Sequence, residues 1–250
     1  MSGMQSKTAA ARFAARVALR SADLVLATST DTLDGLQTQR RHGLRLAPLG
    51  VDTDYYHPRD RQLGVQPYVL TISQLTSDNV IRKRIVDVVR TAALIPDVPF
   101  RIVGRLASGE SVVRDAIAQH GLGDRVSLLG QVSPEAKRRL LSDCAVYLQP
   151  TQYEAFGLAI AEAMACGASV VTTDTGAVRE LVDGCGYVLA ANDGPDKYAE
   201  AVTRLLKAPP SDSLRIRARQ RIIDSFSLHA RRSVVEKALA DVMDASPPPA

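Results

Sequence analysis

Six short apolar runs rich in β-branched residues recur along the chain: LVLAT near 24–28, YVLTIS at 68–73, FRIVG at 100–104, RVSLLG at 125–130, AVYLQP at 145–150 and ASVVTT at 168–173. Most are separated by a segment of helical length. Continuous apolar runs of this size are what strands need when both of their faces are covered, and regular alternation with helices predicts an α/β fold built on a mostly parallel sheet. Ligands of such sheets bind beyond the carboxyl ends of the strands, so the loops after each run are where chemistry is expected. Helix-end signals agree with this division, with Ser133 ahead of Pro134 at one helix start and Gly167 at another helix end. The polar, turn-rich stretch LGVDTDYYHPRD at 49–60 reads as a connection, and the α/β body is expected over about 62–207. PPSDS at 209–213 breaks the chain before two helices at about 213–224 and 228–243, and the closing SPPPA is expected to be disordered.

The 250 residues, 46% of them hydrophobic, are enough for one large or two small packed domains. No apolar run approaches the roughly 18 residues of a membrane span, and the N-terminus lacks the apolar segment of a secretory signal, so the expected compartment is the cytoplasm. Cys144, Cys166 and Cys185 are odd in number and lack metal-ligand spacing, which argues against disulfides and a metal site. A net charge of +4 is too slight a bias to argue for nucleic acid. The excess is local: Lys7, Arg12, Arg16 and Arg20 stand among the first 20 residues without an acid, the last three as one helical stripe. That stripe reads as a membrane-surface helix, a transit peptide, or a solvated face with Phe13 and Val17 on the packing side. The last is favoured because the segment runs straight into ADLVLATS.

The stretch YEAFGLAIAEAMACG, Tyr153 to Gly167, places Glu154 and Gly157 in a turn after an apolar run and Glu162 inside a helix of good formers. A helix opening after a strand offers free amides and a positive dipole end to a phosphate, while the two acids, at different depths, suit sugar and ribose hydroxyls. An ordinary buried αβ unit with two solvated glutamates fits the same residues. Arg82, Lys83 and Arg84, ahead of the helix in DNVIRKRIVDVV, read either as a clamp for a diphosphate or as a solvated basic helix start. Gly176 in TDTGAVREL precedes another helix, where it meets a phosphate or simply ends a strand. VGRLASGE is not the GxGxxG of dinucleotide folds, and no GxxxxGK(S/T) is present, which lowers dehydrogenases and P-loop NTPases. His42, His57, His120 and His229 are scattered, which points to neither a metal centre nor a catalytic triad.

Taken in order, LGVDTDYYHP, RK before a helix, FRIVG, VSLLGQVSPE and YEAFGLAIAEAMACGASVVTTDTGAVREL resemble the family 4, or group 1, retaining glycosyltransferases over about residues 22–230. The resemblance implies the GT-B architecture, two Rossmann-like halves with a donor cleft between them. It implies that Glu154 holds a hydroxyl of the donor sugar and Glu162 the ribose. The loop Glu154, Ala155, Phe156, Gly157 and Leu158 lines the sugar and diphosphate, the latter three through their amides, and Lys83 neutralises the diphosphate. Gln131 and Val132 flank the base, and Gln74, Arg82 and Arg84 complete the donor site. Lys83 and Glu154 are the implied catalytic pair. No cofactor or metal is implied beyond the nucleotide-diphosphate sugar, because the leaving phosphate can itself take the acceptor's proton.

Two departures accompany the likeness. Arg84 stands where the family usually has Gly, and Ser73 and Gln74 where it has a GR pair. The family's N-terminal half has almost no counterpart, so the chain resembles the C-terminal donor-binding half. The implied organisation is a remnant of the N-terminal domain at 1–48, a linker at 49–61, a nucleotide-sugar-binding Rossmann-like domain at 62–226, a crossover helix at 227–245 and a tail at 246–250. The apolar face Leu228, Val235, Leu239 and Val242 of that last helix would lack its partner, which predicts association. Expected partners are therefore the nucleotide-sugar donor, an acceptor-binding subunit or the missing domain, a second copy of the chain and a peripheral membrane surface, with no nucleic acid. The competing expectation is a non-catalytic nucleotide-sugar-binding module or inactive remnant. A sugar-nucleotide epimerase of similar architecture is weaker still.

Overall fold

The computed structural model describes residues 9–40, 42–59, 66–207 and 212–245. The expected domain start near 62, most of the break at 209–213 and the tail at 246–250 lie outside the described residues. Helix α1 (Ala9–Ser21) leads into strand β1 (Val25–Ala27), helix α2 (Thr30–Gln37) and strand β2 (Leu44–Leu46). The body then runs β3 (Val69–Ile72), α3 (Ser77–Arg82), α4 (Ile85–Leu94), β4 (Phe100–Val103), α5 (Glu110–Gln119), β5 (Val126–Gly130), α6 (Pro134–Asp143) and β6 (Val146–Gln149). It continues with α7 (Leu158–Ala165), β7 (Ser169–Thr173), α8 (Val178–Val182), β8 (Tyr187–Leu189) and α9 (Pro195–Lys207), and two helices, α10 (Asp212–Phe226) and α11 (Leu228–Ala245), follow.

Strands β3 to β8 form one parallel sheet in the order β5-β4-β3-β6-β7-β8. Alternate residues of its strands serve opposite layers. Val69, Val146 and Val171 join one core cluster with Ile85, Val88 and Val89 of α4, Val113 of α5 and Tyr198 and Val202 of α9. Leu70, Tyr147 and Val170 join the other with Leu141 of α6, Ile160 and Met164 of α7, Leu181 of α8 and Ile222 of α10. Helices therefore cover both faces, which is the Rossmann-like arrangement that the alternation predicts. Chain order runs outward in both directions from β3 and β6, which puts the switch point, and with it the ligand crevice, at the carboxyl ends of these two strands.

The sequence pattern missed β2 and β8. Each has only three residues, and β2 exposes its middle residue, Arg45, so neither shows the buried apolar run that marks the central strands. LVLAT is a strand, but it pairs with β2 in a separate two-stranded parallel sheet. Phe13 and Val17 were expected to pack, yet they are 69% and 48% exposed. Leu19, on another side of α1, is the half-buried residue instead, because among the described residues nothing covers the first turns of this helix. On α11, Leu228 and Leu239 are exposed, and Val235 and Val242 are half-buried.

Helix α7 owes its central place to its composition. LAIAEAMA is mostly small, so it lies close to both the sheet and α10, and all residues from Ile160 to Ala165 are buried. It ends in a Schellman arrangement, with Ala168 N–H donating to Ala163 O, Gly167 N–H to Met164 O, and Gly167 at φ 71°. The linker returns to the C-terminal helices: Val51 N–H donates to Phe226 O at 2.7 Å and Leu228 N–H to Val51 O at 2.9 Å. Arg231 Nη1 adds 2.6 Å bonds to Ala47 O and Pro48 O.

Candidate active site

The site grows from three loops at the carboxyl ends of β3, β6 and β7. After β3, Thr76 caps the short helix α3, which ends at Arg82; Lys83 and Arg84 then bridge to α4. After β6, Thr151 Oγ1 donates to Tyr153 O and to Arg82 O, and Gln152 N–H also donates to Arg82 O at 2.8 Å. Arg82 answers with Nη1 on Tyr153 O and Nη2 on Asn79 Oδ1. These bonds stitch the first two loops together and bring Lys83 Nζ onto Glu154 Oε2 as an ion pair, the two side chains only 14% and 13% exposed. The third loop completes the clamp, with Ala177 N–H donating to Glu154 O at 2.9 Å.

Glycine is required at two of these places. Gly157, at φ 96°, stands as the N-cap of α7 with no side-chain cap, which leaves the first-turn amides for a ligand. Gly176, at φ 54°, lies so close to the second loop that an added Cβ would be 2.1 Å from Glu154 O.

Burial pushes the Lys83 ammonium below its ordinary value, the Glu154 carboxylate pulls it back, and Arg82 lowers it further. Burial raises the Tyr153 phenol, with Asp31 and Glu154 adding to the effect. Asp31 belongs to the first turn of α2, whose Thr30 N–H donates to Glu180 Oε2 of α8 at 2.9 Å. The N-terminal elements thus close one side of the crevice. The second glutamate, Glu162, lies inside α7, 7% exposed at its side chain, with Lys137 Nζ of α6 at 2.6 Å and the ring of Tyr56 beneath that ammonium at 5.5 Å. Burial raises the Tyr56 phenol, and Glu162 adds to it.

Of the residues singled out by sequence, Lys83, Arg82, Glu154, Gly157 and Gly176 meet in one place. Ala155 and Leu158 are exposed at the mouth of α7, Gln131 is exposed in the turn after β5, and Val132 packs on the α7 side of the sheet. Gln74 is exposed at the end of β3. Phe156 turns its ring inward, 5.8 Å from that of Phe226, so only its backbone faces the turn. Lys137, Tyr56 and Glu180 were missed: Tyr56 and Glu180 lie within quoted motifs, but each of the three reaches its partner across a long sequence separation that the local pattern does not show.

Arg84 is not in the crevice. Its guanidinium donates to Ala191 O, Asp193 O and Tyr198 Oη, which tie the start of α4 to the β8–α9 loop on the same layer of the sheet. Its backbone is left-handed (φ 47°, ψ 43°), a conformation costing a non-glycine residue about 1–2 kcal/mol, which explains why glycine suits this position. Arg84→Ala keeps that strain and loses the bonds, and is expected to destabilise the fold by about 2–3 kcal/mol. Arg84→Gly should cost about 1 kcal/mol less, a difference readable in urea unfolding midpoints.

A sequence profile described as "Glycosyl transferases group 1" matches residues 61–223. The chain is 29% identical over 207 residues to the MMP alpha-(1->4)-mannosyltransferase of Mycolicibacterium hassiacum, covering 80% of this chain and 49% of that protein. Sucrose-phosphate synthase from Thermosynechococcus elongatus superposes with a TM-score of 0.83 at 25% identity, over 98% of this chain and 65% of its own. Anabaena Alr3699/HepE, solved in complex with UDP and glucose, superposes at 0.80 and 23% identity over 92% of this chain and 66% of its own, a likeness of fold. The chain spans about half to two thirds of the length of these proteins. With a profile match over more than half of its residues and the parallel sheet to go with it, the chain belongs to the group 1 glycosyltransferases.

Proposed function

We propose that this chain is the donor-binding half of a glycosyltransferase that moves a hexosyl group, with retention, from a nucleotide-diphosphate sugar to an acceptor held by a separate half. The observation that carries this reading is the buried Lys83–Glu154 pair beside the uncapped start of α7. A cation and free amides there meet a diphosphate, while a carboxylate held by the same cation meets a sugar hydroxyl. Glu154 takes the donor sugar, Ala155 and the amides of Phe156, Gly157 and Leu158 line it, and Glu162 takes the ribose. Gln131 and Val132 flank the base, Gln74 lines the β3 end, and Arg82 fixes the Glu154 loop. Arg84 acts as an anchor for α4 rather than as a phosphate ligand. As the bond between the anomeric carbon and the diphosphate oxygen breaks, its electrons pass to that oxygen, the acceptor oxygen bonds the anomeric carbon from the same face, and the leaving phosphate accepts the acceptor's proton. The protein's contribution is charge organised in advance around that oxygen. The reading assigns no resident cofactor or metal. The sugar donors in the names of the relatives support it, a mannosyltransferase and a complex with UDP and glucose among them.

The acceptor-binding half would pack on the N-terminal elements and α11, where Leu228 and Leu239 are exposed. A second copy is the alternative occupant. No described helix is long and apolar enough to cross a membrane. A cytoplasmic protein touching a membrane through α1, with Phe13 and Val17 exposed beside Arg16 and Arg20, fits this placement. Calorimetric titration with UDP-, GDP- and ADP-sugars tests the reading: one of them should bind, and binding of none sinks it. The competing reading is a non-catalytic binding module. Donor turnover that disappears in Glu154→Ala eliminates that module.

A further inference from the structure

Glu162 is the only charged side chain of α7, and it is buried. Its Oε2 lies 2.6 Å from Lys137 Nζ in an ion pair that lacks hydrogen-bond geometry, and the Tyr56 phenol hydrogen-bonds to the same carboxylate. Three other titratable groups exert charge effects with this carboxylate: Tyr56 from the linker, Tyr147 from β6 and Cys166 one turn along α7. Burial raises all three, the thiol to about 11, with Glu162 adding to each, so none of them brings a charge near neutral pH. Arg219 of α10 and Arg138 of α6 also act on Cys166. The cation in ion-pair contact with Glu162 is Lys137, itself 26% exposed on the first turns of α6, directly after the Gln131–Val132 turn.

We propose that Lys137 is a positioning residue for nucleotide recognition. It holds the Glu162 carboxylate in place, so that its oxygens are available to accept from the vicinal hydroxyls of a nucleoside. The physical ground is that a buried carboxylate stripped of its cation is left uncompensated and gives up the position from which it can accept from a diol. The proposal rests on the reading of Glu162 as the ribose residue, and the two are separable by experiment.

Calorimetric titrations with UDP, GDP and ADP and their 2′,3′-dideoxy counterparts, between about pH 5.5 and 8, provide the test. The wild type is expected to prefer the ribonucleotide across the range. Lys137→Met should lose that preference by about tenfold, with binding of the dideoxy counterpart little changed. Lys137→Arg should follow the wild type. Lys137→Met keeping the wild-type ribose preference, or weakening the ribonucleotide and its dideoxy counterpart alike, overturns the role of Lys137. A wild type that binds nucleotide without ribose preference overturns the role of Glu162 instead and removes the basis of the proposal. Binding of no nucleotide at all overturns both together with the donor-site reading.

Discussion

Lys83→Met is expected to lower donor turnover by about 10²–10³-fold, read as nucleotide diphosphate released with time, on the scale of losing one preorganised contact to a developing negative charge. The effect is that large because the ammonium is largely out of water, where a charge-assisted contact is worth more than at an exposed site. The same burial makes a pH prediction. The active form is the ammonium, and its proton is held less tightly than that of an ordinary lysine at 10.5. Donor affinity of the free protein should therefore fall as pH rises through a point below that value. Lys83→Arg, whose guanidinium stays charged, should lose this alkaline limb while giving up part of the rate, since a fork replaces a point charge. An alkaline limb that persists in Lys83→Arg assigns the titration to another group.

Gly176→Ala is the second substitution with a large expected effect. The new methyl would stand 2.1 Å from Glu154 O and 3.0 Å from its carbonyl carbon, backbone atoms that give way only if the whole Glu154 loop moves. That loop also carries the partner of Lys83 and the bond from Ala177 N–H. A displacement of about 1 Å there is expected to cost donor affinity tenfold or more, with a stability loss of about 2–3 kcal/mol. Gly121→Ala is the control, because Gly121 is also left-handed at φ 62° with nothing within 4 Å of the added methyl. It should cost only the conformational term, about 1 kcal/mol, with donor binding unchanged. Equal losses from the two substitutions would show that left-handed strain, not the contact with Glu154, decides the outcome.

How far the molecule could be read from its sequence depended on how local each signal was. Five of the six apolar runs became strands of the main sheet because burial on both faces demands continuous apolar residues, a property visible one strand at a time. LVLAT met the same demand, but its partner, β2, is half-buried and short, so its membership of a second sheet left no mark on its own residues. The site behaves likewise. Glu154, Gly157 and Glu162 share one strand–turn–helix unit, and their pattern was legible. Lys137 stands on a different helix from Glu162, in a charged segment that looks like any solvated helix face, and only the folded arrangement joins them. Arg84 shows the reverse case. Its neighbours in sequence point to a phosphate, whereas its left-handed backbone directs the side chain to the β8–α9 loop.

The bonds between Val51 and the Phe226–Leu228 turn carry a mechanical consequence. The chain passes between the N-terminal elements and the donor-binding sheet twice, once at the linker and once at the start of α11, and these passes are laced side by side as a parallel bridge. Gly50 lets them lie in contact, since an added Cβ there would be 2.9 Å from Leu228 Cα. Two strings tied at one point behave as a single pivot. Any rocking of α1, α2 and their small sheet would have to turn about this knot and break the bond from Thr30 N–H to Glu180 Oε2.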